Sequence, residues 1–91
     1  MSQATPNDVR KVIATYVSTL SIHGSSVVSG ELSDDLDLYL SGTIDSLGLL
    51  GLVETIRGAF GEHIDFEDLD PEEMTIVGPL CRFVADRANA A

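Results

Sequence analysis

Residues 42–47 read Gly42-Thr43-Ile44-Asp45-Ser46-Leu47, and an almost wholly apolar run follows them to Phe60. Asp45 fits the N-cap of a helix, because its carboxylate can accept a bond from a first-turn N–H. Ser46 then stands at the helix start. Such a start offers unpaired N–H groups and the positive end of the backbone dipole. A hydroxyl there is well placed to carry a covalently attached phosphate. The spacing predicts a helix from about Ser46 to Phe60, with Gly61 as its stop. Leu47, Leu50, Val53, Ile56 and Phe60 fit its inner face, Leu52 flanks it, and Leu49 points outward. Gly48, Gly51 and Gly58 each lower helix propensity by about 1 kcal/mol relative to alanine. Three such residues in one helix call for a close approach by a partner or a bound group.

Upstream, Thr5-Pro6 reads as a helix start. Val9, Val12, Ile13, Tyr16, Val17 and Leu20 recur at three- and four-residue steps, one helical face, and His23-Gly24-Ser25-Ser26 ends it. A long connection follows, pinned by Val27, Val28, Leu32, Leu36, Leu38 and Leu40. Its segment Asp35-Leu36-Asp37-Leu38-Tyr39-Leu40 alternates like a strand. With no second strand in view, it is expected to be extended or a short 3₁₀ turn. Downstream, Ile64 and Phe66 anchor an acidic loop. Asp70-Pro71-Glu72-Glu73-Met74 reads as a short helical turn, and Thr75 as a cap for a last helix carrying Leu80, Phe83, Val84 and Arg87. Pro79 fits only its first turn, and Asn89-Ala90-Ala91 is expected to fray. The chain thus predicts one all-α domain over 1–91, ordered over about 6–87. It has three main helices, one short helix and a long loop between helices 1 and 2.

Composition narrows the function. The 91 residues are 44% hydrophobic, enough to fold. Fifteen acids against five bases give a formal charge of −10. That disfavours nucleic acid and anionic membranes, and points to partners with basic patches. Cys81 is the single cysteine, so no internal disulfide can form, and an inert buried thiol is expected. No signal-peptide pattern, long apolar span or lipidation motif is present, so a soluble, cytoplasmic monomer is the expectation.

Catalytic and metal constellations fail. A calcium loop counted from Asp35 would put Tyr39 fifth, Leu40 sixth and Ser46 twelfth, without the required glycine or bidentate glutamate. His23 and His63 stand alone, so zinc has no ligand set. Ser46 and His63 lack a G-x-S-x-G setting. The glycines of helix 2 are not followed by G-K-[ST], so no phosphate loop forms.

The whole arrangement resembles the acyl carrier and peptidyl carrier protein family, with its G-x-[IL]-D-S-L lead-in to helix 2. The stretch Phe60-Gly61-Glu62-His63-Ile64-Asp65-Phe66 is similar to the family's link toward helix 3. Glu72-Glu73-Met74-Thr75-Ile76 is similar to its approach to helix 4. The likeness covers about residues 6 to 87. It implies an acyl-carrier-like bundle and a non-catalytic role. Ser46 would carry 4′-phosphopantetheine through a phosphodiester, attached by a phosphopantetheinyl transferase that also recognises Asp45. The thiol of the arm would hold acyl or aminoacyl groups as thioesters, loaded by an acyltransferase or adenylation enzyme and consumed by a downstream synthase or transferase. The resemblance places the partner surface on Leu49, Gly51, Glu54 and Arg57, with less acid than fatty-acid carriers present. That favours a freestanding carrier of polyketide or nonribosomal-peptide type. A housekeeping fatty-acid carrier, a D-alanyl carrier and an unmodified acidic interaction domain are the alternatives. Leu50, Leu69 and Met74 are expected to shelter part of the acyl chain.

Overall fold

The computed structural model describes residues 4–20 and 32–90. Three α-helices form among these: α1 (Pro6–Leu20), α2 (Ser46–Phe60) and α3 (Val77–Asn89), with a single 3₁₀ turn at Phe66–Asp68. No strand occurs among the described residues, and the architecture is a small helical bundle. No helix is long and apolar enough to cross a membrane among them. Val27, Val28 and His23-Gly24-Ser25-Ser26 lie outside the described residues.

α1 starts as its sequence dictates. Thr5 Oγ1 accepts from the Asp8 N–H, and Asp8 Oδ2 accepts from the Thr5 N–H, both at 3.1 Å. Two end groups are satisfied reciprocally, with aspartate in the usual glutamate position. Val9 and Ile13 bury fully, and Ala14 and Val17 nearly so. α1 packs most extensively on α3, then on α2, while α2 and α3 touch less.

α2 has the predicted span but a different rotation. Gly48, Leu52 and Ile56 are its buried residues. Leu47 and Leu50, expected inside, are 78% and 64% exposed. Leu49, expected outside, packs partly against the core, as does Phe60. The cause lies in α1. The Tyr16 hydroxyl donates to the Gly48 carbonyl at 2.7 Å. A side chain at Gly51 would run into the Tyr16 hydroxyl. The glycines therefore mark the side on which α1 approaches, and Leu52 and Ile56 follow Gly48 at four-residue steps.

The alternating segment has a partner after all. Asp37 pairs antiparallel with Ile76 as an isolated bridge. Leu38 N–H donates to Thr75 O (2.8 Å), Val77 N–H to Leu36 O (2.9 Å) and Gly78 N–H to Asp34 O (2.9 Å). These loop carbonyls satisfy the first N–H groups of α3. The N-cap, Ile76, has no polar side-chain atom to supply a cap bond, and Thr75, expected as the cap, stands one residue earlier, its carbonyl accepting the Leu38 N–H. Pro79 sits in the first turn, where its missing N–H costs nothing. The 70–74 stretch forms hydrogen-bonded turns, with Glu73 and Met74 N–H both on Asp70 O. Among the described residues the short helix instead forms earlier, at Phe66–Asp68.

Ion pairs and a clip tie the ends together. Arg10 pairs with Asp34, joining α1 to the loop. Arg87 pairs with Asp68 at 3.0 Å and lies 5.0 Å from the Phe83 ring centre. Asn89, expected to fray, is held. Its side-chain amide donates to Ala4 O (2.9 Å) and its oxygen accepts from Ala4 N–H (3.0 Å). Cys81 is buried and free. Burial pushes its thiol up to about 11, against the opposing pull of Arg10, so it stays protonated and unreactive at neutral pH.

Asp37 also braces the loop. Its Oδ1 accepts from Tyr39 and Leu40 N–H, both at 3.0 Å. The Leu40 bond, together with bonds from Thr75 and Tyr39, holds its carboxyl below the ordinary 3.8, against some desolvation. A lowered folded-state value stabilises above 3.8 and is lost as pH falls through it. Asp37→Asn should therefore flatten the acid limb of stability. Urea midpoints for both proteins, followed from neutral pH to below 3.8, check this: the wild type should lose more.

Candidate functional site

Two buried anchors fix the approach to Ser46. Leu38 and Ile44 are 0% and 2% exposed, and Ile44 N–H donates to Leu38 O at 3.0 Å. Between them the chain makes a tight loop. Gly42 N–H donates to Tyr39 O (3.1 Å), and Gly42 takes φ +80°, a conformation that favours glycine. Residues 39–41 are thereby pushed outward, and the chain re-enters the core at Ile44 one residue before the helix cap.

Asp45 caps α2 as expected, its Oδ1 accepting from Gly48 N–H at 2.7 Å. Ser46 is the first helical residue and is exposed. Its hydroxyl has no hydrogen-bond partner among the described residues. The first-turn N–H groups of Ser46 and Leu47 have no helical carbonyl to reach, so the positive end of α2 opens beside the hydroxyl. An anion bonded to Ser46 Oγ would sit in favourable potential. Asp45→Ala should lower stability by about 1 kcal/mol, the usual worth of an N-cap. Chemical unfolding of the two proteins measures it.

The remaining candidate residues divide. Glu54 and Arg57 are exposed on the same side of α2 as Leu47 and Leu50, at three- and four-residue steps. Gly51 does not join them, because Tyr16 covers it. Leu49 turns toward the core instead. Arg57 donates to the Glu62 carbonyl at 2.8 Å. Leu69 and Met74 line a shallow cleft of about 360 Å³ with Phe66, Glu67 and Pro71. Leu50 is not among its lining residues, so the three expected to shelter a chain are not brought together.

Sequence reasoning missed one feature. Among the described residues, Tyr39 (47% exposed) and Leu40 (81%), the latter expected to pin the loop on the core, join Leu47 and Leu50 as exposed large hydrophobic residues. All four lie within seven residues of Ser46 in the chain. The available signal was a surplus: α2 carries more leucine than one buried stripe can use. Among the described residues no group of three or more His, Cys, Asp or Glu could hold a metal. Fold and site together define a small helical bundle with an exposed, unpaired serine at a capped helix start. Comparison with family models, curated proteins and solved structures finds no match.

Proposed function

We propose that this chain is a carrier unit of the acyl-carrier or peptidyl-carrier kind, with the corresponding bundle arrangement. Ser46 bears 4′-phosphopantetheine, and acyl or aminoacyl groups ride on the arm's thiol in cytoplasmic assembly of polyketide or nonribosomal-peptide type. The observation that carries this reading is Ser46 itself: exposed, without a hydrogen-bond partner among the described residues, and first in a helix whose cap belongs to Asp45. A phosphodiester there gains from the helix dipole and free N–H groups. The chemistry belongs to the arm, while the protein supplies position and recognition. A tether also raises the effective concentration of cargo at a docked enzyme.

The exposed leucines support docking by transferase, loading enzyme and downstream synthase. Leu47 and Leu50 stand on the same side of α2 as Glu54 and Arg57. They supply apolar contact near the serine, and the net acidity of the chain favours basic partner surfaces. Intact mass after incubation with a phosphopantetheinyl transferase and coenzyme A tests the reading. One added phosphopantetheinyl group is the expected result. An unchanged mass with several transferases overturns it in favour of an unmodified interaction domain.

A further inference from the structure

A second groove opens along the seam of α1 and α2, lined by Lys11, Val12, Thr15, Tyr16, Thr19 and Thr55. It is an open groove of about 540 Å³. Three of its four hydroxyls, all but that of Thr55, are already engaged. Thr15 donates to Lys11 O (3.0 Å), Thr19 to Tyr16 O (2.6 Å) and Tyr16 to Gly48 O (2.7 Å). What three of the six residues offer a ligand is therefore mainly methyl and ring carbon. The cation is different. Arg10 and Arg87 are each held in an ion pair, and Arg57 is bonded to a carbonyl. Lys11 and Arg82 have no ion-pair partner among the described residues, and of the two only Lys11 lines this groove.

The geometry points to a binding site for a medium-chain carboxylate anion. Its hydrocarbon lies along the α1–α2 seam and its carboxylate meets the Lys11 ammonium. Lys11 and Thr19 bound the groove along α1, a span of about 12 Å at the helical rise. Apolar walls with one convergent charge favour an amphiphile of opposite sign. The site is independent of Ser46. Thr55 follows Ser46 by nine residues, about two and a half turns, so the groove and the serine lie on opposite sides of α2.

An isotope-labelled Ser46→Ala protein, which cannot be modified at that position, separates this inference from the carrier reading. Titration with octanoate should give saturable amide shifts at Val12, Thr15, Tyr16 and Thr55. Decanoate should bind more tightly, by roughly fourfold for each methylene that becomes buried. Octylamine, of the same length and opposite charge, should bind more weakly than octanoate. Lys11→Met, which keeps the apolar stem, should weaken octanoate by about three- to fivefold, the worth of an exposed ion pair, with the unfolding midpoint unchanged. Equal binding of octylamine, unchanged affinity in Lys11→Met, shifts confined to Leu40, Leu47 and Leu50, or no saturable shift would each overturn the assignment.

Discussion

A Ser46→Ala protein is expected to gain no mass from a phosphopantetheinyl transferase and coenzyme A, under conditions that convert the wild type completely. The expected effect is all-or-none, because the nucleophilic oxygen is gone and the exposed hydroxyls nearby stand elsewhere in the loop. Ser41 and Thr43 are bonded to each other at 2.8 Å, ahead of the cap. The fold should be untouched. Asp45, not Ser46, caps α2, and the Ser46 hydroxyl holds nothing else among the described residues. Alanine is also the better helix former, by a few tenths of a kcal/mol. The unfolding midpoint should therefore stay level or rise slightly while modification disappears. A mass gain retained in Ser46→Ala would move the attachment site elsewhere. A variant that loses both modification and fold would contradict the geometry described for Asp45. Asp45→Ala gives the graded contrast, with reduced stability and a hydroxyl still present.

The parts of this arrangement legible in the sequence are those set by neighbours in the chain. The helix starts at Thr5-Pro6 and Asp45-Ser46 follow from capping chemistry within a few residues, and both stand in the structure. The exposed serine at its helix start came with them. The rotation of α2 could not be read so directly. Leu47, Leu49, Leu50, Leu52, Val53 and Ile56 place apolar groups nearly all round the helix, so periodicity alone does not select a face. The hydroxyl of Tyr16 selects it, by bonding the Gly48 carbonyl over a residue that must lack a side chain. The exposed face of α2 differs from the expected one for the same reason: Gly51 lies under α1, and Leu47 and Leu50 are exposed. The bridge between Asp37 and Ile76 was hidden because its two halves lie far apart in sequence and each is a single residue long. A lone alternating segment gives no hint that its partner is the lead-in to another helix.

That bridge sets up the second large expected effect, in which one kind of substitution gives opposite signs at two glycines. Gly58 is exposed on α2, and a Cβ there would meet nothing within 4 Å. Gly58→Ala should stabilise the protein by about 0.5–1 kcal/mol through helix propensity and a less flexible unfolded chain. Gly78 is also helical, in the first turn of α3, so propensity alone predicts the same gain. The structure predicts the reverse. A Cβ on Gly78 would stand 2.8 Å from Asp34 Cβ and 2.9 Å from the Asp34 carbonyl oxygen. That oxygen belongs to the backbone and already accepts the Gly78 N–H at 2.9 Å. Relief requires the loop to lift off the start of α3, which strains this bond, the neighbouring Val77–Leu36 bond and the Arg10–Asp34 pair. Overpacking of this kind costs about 1–3 kcal/mol, which outweighs the propensity gain. Gly78→Ala should thus lower the urea midpoint where Gly58→Ala raises it, and Gly78→Val should lower it further. The damage should also be local. Hydrogen exchange at Leu38 and Val77 N–H, the two bonds flanking Asp37 and Ile76, should accelerate more than exchange at Ile13 or Ile56 in the core. If Gly78→Ala stabilises as Gly58→Ala does, the loop does not close over α3 as described. The Leu38–Ile44 clamp that presents Ser46 would then have lost its footing.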